Sequence, residues 1–449
     1  MRKFIIIILL FPSLTFGYSK IGTVYTTDGS QLDVQAAVDN SSDGDTITFP
    51  SGTHTYDWGS SAVSWSNKNI TIQGQGVDAT TLTGSSYIFD VTNSTASQFR
   101  ITGLTITSSS NSDPPIQISS RYQATAQWVY GWRIDNIKFN REAGLSTTIR
   151  IYGVNWGLID NCSFYSTVDT GNEFWFISFY SSYYDAANET NYAGEYSWGL
   201  DIDWGTYKAL YIEDNIFSSP DATGGAHPFD CGEGARLVFR YNDTIGGGPI
   251  FHPNKTAGLG PVKYEIYNNT FAAGSYAGYY PFTVQGGGTG VVFKNQWSGF
   301  DVAGLNLMER RISTDESEAP LGKCSTSNAL DGYVGETRTN PDSNGWPCKN
   351  QVGRGPGNIS MPVYAWYNGT QADCATTQAT CTDTVNLVAT GTGITDYIKA
   401  TGHSNAEVDF VNNGTTAKPG YTPYTYPHPL RGITNASHHG ISGAGMSWN

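Results

Sequence analysis

Four short strings recur along this chain at nearly constant spacing: Ile212-Glu-Asp-Asn215-Ile-Phe217, Phe239-Arg-Tyr-Asn242-Asp-Thr244, Ile266-Tyr-Asn-Asn269-Thr-Phe271 and Val292-Phe-Lys-Asn295-Gln-Trp297. Each places asparagine three positions after a large apolar residue, and the starts lie 27, 27 and 26 residues apart. A unit this short cannot bury its own apolar side, so it must stack on copies of itself, which predicts a solenoid. A related form, Ile134-Asp-Asn136-Ile-Lys-Phe139 and Ile159-Asp-Asn161-Cys-Ser-Phe164, begins 25 residues apart with the asparagine one position earlier. The series therefore extends upstream.

The first residues give Arg2 and Lys3 followed by a short apolar run, Phe4 to Phe11, with small residues at Thr15 and Gly17. That run is too short to span a bilayer and reads as a secretory signal over residues 1–17. No later stretch has the length and hydropathy of a membrane span. Removing Arg2 and Lys3 takes the formal charge from −14 to −16, which argues against nucleic acid as a partner. Only 14% of residues are charged, while Asn, Ser, Thr, Gly and Tyr abound, so the exposed groups are amides, hydroxyls and rings, the groups that bind sugars. Export permits disulfides. Cys324 with Cys348 and Cys374 with Cys381 are the expected pairs, because both lie in irregular sequence outside the repeat; closing the first contributes about 3 kcal/mol on a chain-entropy estimate. Cys162 and Cys231 fall about two rungs apart, on the order of 10 Å, and are expected as buried thiols.

Residues Gln31 to Asn40 read as a short helix suited to covering the open first rung. Strand-like runs follow at Asp45–Phe49, Ile70–Ile72, Tyr87–Val91, Ile101–Ile106, Trp132–Phe139, Thr148–Tyr152 and Phe174–Tyr180, separated by Gly, Asn and Ser turns. After Phe300 the rhythm stops for a long irregular segment, a strand-like pattern returns at 361–370, and Ile394–Ala400 reads as a helix. Tyr421 to Pro429 is a Tyr/Pro tail expected to pack along the solenoid. Asn-x-Ser/Thr triplets are frequent, but a chain this rich in those residues yields many without glycosylation.

On the coil period, the stacked asparagines and the leading helix, residues 30 to 300 resemble the right-handed parallel β-helix superfamily that contains the pectate lyases. Strings such as Arg236-Leu-Val-Phe-Arg-Tyr-Asn242 and Trp346-Pro-Cys-Lys-Asn-Gln-Val-Gly-Arg-Gly355 are similar to secreted bacterial β-helix proteins of unassigned function. The resemblance implies an all-β chain, a right-handed parallel β-helix with an N-terminal cap over residues 18–300; the irregular, cysteine-containing sequence over 301–449 is expected as a disulfide-stapled region packed on it. Right-handedness also follows from the preference of parallel crossovers. The paired aspartates, Gly-His-Gly and Arg-x-Lys of polygalacturonases are not recognisable, and Trp132-Arg-Ile-Asp-Asn136 only grazes the Trp-Ile-Asp-His of the main pectate lyase family. Neither catalytic set carries over.

Strand alternation turns the repeat into columns. With Ile212, Phe239 and Ile266 inward, Glu213, Arg240 and Tyr267 face outward, as do Tyr211, Glu265, Arg236 and Lys263, and adjoining turns add His227, Asp230, Glu233, His252 and Lys255. A cationic cleft on an acidic protein suits a uronic acid polymer. β-Elimination needs a base for the proton α to the carboxylate and a positive group or metal to hold that carboxylate. Arg240, Lys263, Arg236 and His252 are the catalytic candidates, with Arg240 or Lys263 as base if like charges depress its pKa and His252 as donor to the leaving oxygen. Lys255, Tyr267, Trp198, Trp204 and Tyr211 are the expected substrate contacts, and Glu265, Glu213 and Asp230 the expected ligands of a Ca²⁺ cofactor. The competing reading is simple cross-strand pairing of Glu213 with Arg240. Asp201 and Asp203 form a second carboxylate pair, at a same-face strand spacing compatible with glycoside hydrolysis. Asn136, Asn161, Asn242, Asn269 and Asn295 are read as one structural column. The aromatic run from Trp175 through Trp204 exceeds what a coil interior holds, so part of it is expected as a sugar platform. The leading reading is a secreted lyase on an acidic extracellular polysaccharide; a non-catalytic glycan-binding surface protein and a glycoside hydrolase are the alternatives.

Overall fold

The computed structural model describes residues 17–93, 98–110, 112–120, 129–142, 147–153, 155–167, 173–181, 184–185, 190–191, 197–252, 260–276, 281–285, 287–300, 305–308, 352–356, 359, 361–370, 410–411 and 417–432. Successive coils repeat the same three strands. One coil runs Ala226–Gly232, Arg236–Arg240, Asp243–Ile245; the next runs Ile250–Phe251, Lys263–Tyr267, Thr270–Ala272. Each strand pairs in parallel with its counterpart one coil later, so the coils build three ladders, the arrangement of a parallel β-helix. The long ladder holds Arg236–Arg240, the short ladder Asp243–Ile245, and the opposing ladder Ala226–Gly232; the long strands Arg100–Ser108 and Val129–Arg141 run through both the first and the second.

Register places Ile212, Phe239, Ile266 and Val292 side by side on consecutive rungs, all in the core, the column that the repeat predicts. What makes each coil bend is a single left-handed residue. Asp214, Tyr241, Asn268, Lys294 and Tyr367 all have φ between 53° and 57°, and each precedes an inward asparagine. Those asparagines, Asn215, Asn242, Asn269, Asn295 and Asn368, form the internal amide column. Asn242 Nδ2 donates to Ile212 O, to Arg240 O and to Asn269 Oδ1 at 2.9, 2.9 and 3.1 Å, while the Asn242 N–H also reaches Asn269 Oδ1 at 2.9 Å. Asn136 and Asn161 are not members of it, contrary to the sequence reading. They occupy the left-handed position themselves, at φ 53° and 52°, and bond the neighbouring Asp135 and Asp160. Cys162 stands where the column would continue, its N–H donating to Asn215 Oδ1 at 2.9 Å. Cys162 and Cys231 are both buried free thiols, as expected, with burial pushing each well up.

The ladders do not end at residue 300. Leu305–Met308 pairs with Phe282–Gln285, Val363–Trp366 with Thr289–Phe293, and Phe410–Val411 with Val363 and Tyr364. The period disappears from the sequence there because 73 residues, instead of 26 or 27, separate Asn295 from the next column member, Asn368. Cys324, Cys348, Cys374, Cys381 and residues 394–400 lie outside the described residues.

At the other end, Gln31–Asn40 is helical, with Ser30 Oγ accepting from the Asp33 N–H at its start. Val34, Ala37 and Val38 enter the core. The helix lies beside Val63–Trp65, the terminal strand of the opposing ladder. Its glutamines satisfy backbone groups that no further strand takes: Gln35 Oε1 accepts from the Ser64 N–H at 2.7 Å, and Gln35 Nε2 donates to Ser64 O at 2.9 Å. An edge so occupied cannot template another chain. Among the described residues no helix is long and apolar enough to cross a membrane.

Candidate functional site

The sequence places a cationic groove on the outer side of the long ladder. Alternation does bring those residues together: Arg236 is in register with Lys263, Glu213 with Arg240, and Glu265 with Val238. Yet Glu213, Arg240, Lys263 and Glu265 are fully buried, and Arg236 nearly so. The cover comes from two directions, residues 197–205 and the segment 417–432.

The second of these runs back along the coils, touching later rungs first. Tyr421 OH donates to Glu265 Oε2 at 2.7 Å; the carbonyls of Tyr424 and Thr425 accept from Arg240 at 2.8 and 2.9 Å; the His428 N–H donates to Glu213 Oε1 at 2.9 Å; and Arg431 pairs with Asp160, Glu213 and Asp214. The two covers meet at Gly205, φ 60°, where a Cβ would overlap the Thr422 carbonyl. Arg240 thus has every nitrogen engaged, with Glu213 Oε2 at 2.7 Å from Nε and Tyr267 OH at 2.9 Å from Nη1. Burial alone would lower its pKa, but Tyr267 and Glu213 outweigh it and hold the guanidinium above its ordinary range, so Arg240 is no base. Arg236 donates to Ser197 Oγ and to the carbonyls of Ser197, Leu200, Asp201 and Ile202; burial lowers it to about 10. Lys263 donates to Asp203 O at 2.8 Å and pairs with Glu265 at 2.9 Å; burial lowers its pKa more than Glu265 restores it. Arg236 and Lys263 therefore shape the 197–205 loop.

The expected sugar contacts follow suit. Tyr211 and Tyr267 are buried beneath that cover, Tyr211 OH donating to Thr206 O, and Trp198 Nε1 donates to Gly260 O at 3.2 Å. Trp204 is half-buried edge-on to Tyr421. Lys255 lies outside the described residues. Asp201 and Asp203 are not on a strand, so same-face spacing does not apply, and Asp203 pairs with Lys208 at 2.9 Å. The Ca²⁺ set does not fit either. Glu213 and Glu265 already face cations, Asp230 belongs to the opposing ladder, and among the described residues no three His, Cys, Asp or Glu side chains lie close enough to share a metal.

Asp230 and His252 do converge, on the outer side of that opposing ladder. Asp230 sits in Ala226–Gly232, whose Phe229 and Cys231 point into the core. His252 follows the strand one coil later, and its ring Nδ1 lies 3.1 Å from Asp230 Oδ1, which also takes the His252 N–H at 3.1 Å. A carboxylate only accepts, so Nδ1 carries the proton and Nε2 is the basic nitrogen. The third partner is Tyr180 from the preceding rung, whose OH donates to Asp230 Oδ2 at 2.6 Å. Burial first, and the Asp230 charge second, push the Tyr180 phenol well up, so it stays protonated. The Trp175 ring stands edge-on to His252 with centroids 5.7 Å apart. His252 keeps 20% of its side chain exposed, against 3% for Asp230.

Two further titratable groups lie on or next to the Asp230 strand. Glu233, at φ 54°, follows the Asp230 strand directly and is 6% exposed; burial first and Asp230 second push its carboxyl up to about 8. His227 is the register neighbour of Trp175, and its Nδ1 donates to Gly248 O at 2.7 Å, with burial lowering its pKa. Trp175 Nε1 and His227 Nε2 are buried polar atoms without a hydrogen-bond partner. Such atoms are uncommon in folded proteins, and the Trp175 ring that carries one of them stands edge-on to the oriented imidazole. Of the aromatic run, Phe176 and Phe179 fill the core, Trp175 and Tyr180 face this site, and nothing is described of the side chains of Tyr183, Tyr184, Tyr192 and Tyr196. Sequence reasoning put Asp230 and His252 in turns and missed Tyr180. The usable signal was Phe229 and Cys231 two apart, masked by Pro228, which argues against a strand interior.

No family model and no curated protein matches this sequence. Among solved structures, an alginate lyase from Paenibacillus sp. str. FPU-7 is similar at 16% identity and a TM-score of 0.38, over 62% of this chain and 97% of its own. The PL6 family alginate lyase AlyGC is similar at 13% identity and a TM-score of 0.34, over 62% of this chain and 38% of its own. ORF18 of Geobacillus virus E2 is similar at 13% identity and a TM-score of 0.29, over 64% of this chain and 60% of its own.

Proposed function

We propose that this chain is a secreted polysaccharide lyase that cleaves an acidic, uronate-containing glycan by β-elimination on the outer side of the opposing ladder. The observation that carries the reading is the His252–Asp230 pair: a solvent-reached imidazole, held at ring and backbone by one buried carboxylate that Tyr180 also fixes. An imidazole oriented in this way by a carboxylate is suited to general base work.

In this reading His252 Nε2 takes the proton at C5 of the uronate. The electron pair of that C–H bond forms the C4=C5 double bond, and the bond from C4 to the glycosidic oxygen breaks. The imidazolium returns its proton to the departing oxygen, which restores neutral His252, so no water is consumed. Asp230 holds the tautomer and stabilises the imidazolium between the two transfers. Trp175 offers an apolar ring edge beside the reacting sugar.

Purified protein offered polygalacturonate, alginate and glycosaminoglycans should generate the ultraviolet absorbance of an unsaturated uronate. His252→Ala should lower kcat by about 100-fold or more without a change in folding. New reducing ends without that absorbance would make the protein a glycoside hydrolase, and binding without cleavage would make it a glycan-binding surface protein. Full activity in His252→Ala would remove the site from this face.

A further inference from the structure

We propose that Arg150 binds the carboxylate of a uronate about two sugars away from the bond that His252 breaks, making it a substrate-binding residue that favours long acidic chains. The inference rests on the lyase reading above.

The opposing ladder sets its outward side chains in columns parallel to the solenoid axis. One column runs Asp90, Gln117, Arg150, Ser178 and Asp230, each in register with the next. Arg150 faces outward because Ile149 and Ile151, on either side of it, enter the core. Beyond Asp230 the column continues through Ile250, Thr283 and Asn306. Exposure changes along it. Asp90, Gln117 and Arg150 are half-buried, whereas Asp230 and the three residues beyond it are buried. The surface beside His252 is therefore closed toward the later coils and open toward the earlier ones. A polymer seated at His252 has its long arm on the Arg150 side.

Arg150 stands two rungs before Asp230, about 10 Å at the spacing of neighbouring strands. A pyranose in an extended chain advances by nearly one rung, so a chain lying along the axis brings a sugar about two units from the reacting one to the guanidinium. Ser178, between the two positions, is small and leaves the way clear. The adjoining column supplies a wall: Tyr152 is in register with Tyr180, their rings 6.5 Å apart between centroids, and both are half-buried. Such rings offer apolar edges to sugars.

Arg150 also has charge to offer. Among the described residues it makes one hydrogen bond, from Nη2 to Ser112 O at 3.3 Å, and no ion pair. Asp90 and Asp113 act together with Arg150 on the Tyr87 phenol, but each accepts from a neutral donor, Gln117 at 3.3 Å and Ser86 at 3.0 Å. A guanidinium presents paired N–H donors that match a carboxylate. Asp90 lies two rungs beyond Arg150 and repels a further uronate, so the path ends at Arg150.

The test compares wild type, Arg150→Ala and Arg150→Lys on size-fractionated oligomers of the polyuronate that the wild type cleaves, read by the absorbance of the unsaturated product. In the wild type kcat/KM should climb by about tenfold once the oligomer reaches Arg150 and then level off, with the gain in KM. Arg150→Ala should abolish that climb, and Arg150→Lys, which keeps the charge without the fork, should retain part of it. Both variants should melt within a few degrees of the wild type. A wild type without the climb, a climb unchanged in Arg150→Ala, or a loss equal at every oligomer length overturns this inference while leaving the lyase reading intact. A wild type inactive on every polyuronate overturns both.

Discussion

Replacing Arg240 with methionine tests whether the outer side of the long ladder is a working groove or a sealed seam. Methionine matches the arginine stem in length, so the cavity is small and the loss is mostly ionic. Gone are the contacts to Glu213 at 2.6 and 2.7 Å, the Tyr267 hydroxyl at 2.9 Å, and the carbonyls of Tyr424 and Thr425 at 2.8 and 2.9 Å. Breaking a buried pair from one side costs about 3–5 kcal/mol. Here Glu213 keeps Arg431 at 2.9 Å and the His428 N–H at 2.9 Å, so it is not stranded as an unpaired charge, which places the expectation at the low end. Two carbonyls left without a donor add about 1–3 kcal/mol each unless water reaches them. With water reaching both carbonyls as the segment loosens, a destabilisation of about 3–4 kcal/mol follows, and about 5 kcal/mol or more where water stays out, read as a lower guanidinium midpoint at unchanged slope. Limited proteolysis should also cut within 417–432 faster than in the wild type, because two carbonyl anchors of that segment are lost. Less than about 1 kcal/mol of loss, with the segment still protected, would refute the seam. Loss of polyuronate cleavage at unchanged stability would return Arg240 to the catalytic set.

Glu233→Gln should carry a pH-dependent stability signature. Because the folded pKa is raised to about 8 from 4.5, the contribution of Glu233 to stability is fully present below the unfolded value and is lost progressively up to about pH 8. The variant should therefore match the wild type near pH 4 and exceed it by a few kcal/mol at about pH 8 and above; equal denaturant midpoints at both pH values would contradict the assignment. Asn242→Ala removes the donors to Ile212 O and Arg240 O, and the acceptor of the Asn215 N–H, in a fully enclosed turn. It should cost about 2–4 kcal/mol in a denaturant melt, whereas Asn161→Gly, at a left-handed turn position outside the column, should cost less than about 1 kcal/mol.

The repeat was readable because stacking demands it: an apolar residue at one fixed place per coil has no other way to be buried, so Ile212, Phe239, Ile266 and Val292 declare their own column. The turn was readable only in part. Asn161 and Asn242 look alike in sequence, yet one supplies the left-handed backbone and the other the inward amide, a difference of one position that backbone conformation decides. Alternation correctly put Arg236, Arg240, Lys263, Glu213 and Glu265 on a common side. It says which way a side chain leaves the sheet and nothing about what lies over it. The cover over Arg240 comes from residues 184 and 185 positions downstream, beyond any local pattern. The Tyr180, Asp230 and His252 cluster was hidden for a different reason. Its members come from three successive rungs of a ladder whose strands carry a proline and unequal connections, so no periodicity aligns them.

The path of residues 417–432 has a consequence for how the molecule comes apart. Coils that touch only their neighbours would melt singly, from whichever end is weakest, with stability close to a sum of local terms. This segment bonds the rungs of Glu265, Arg240, Glu213 and Asp160 in one sweep, so none of them can leave without releasing contacts shared by the others. Unfolding of the middle coils becomes a single cooperative event. The same tie also sets the order of assembly: a chain emerging from its amino end stacks these rungs with their charges uncovered, and they close only when residues 417–432 arrive.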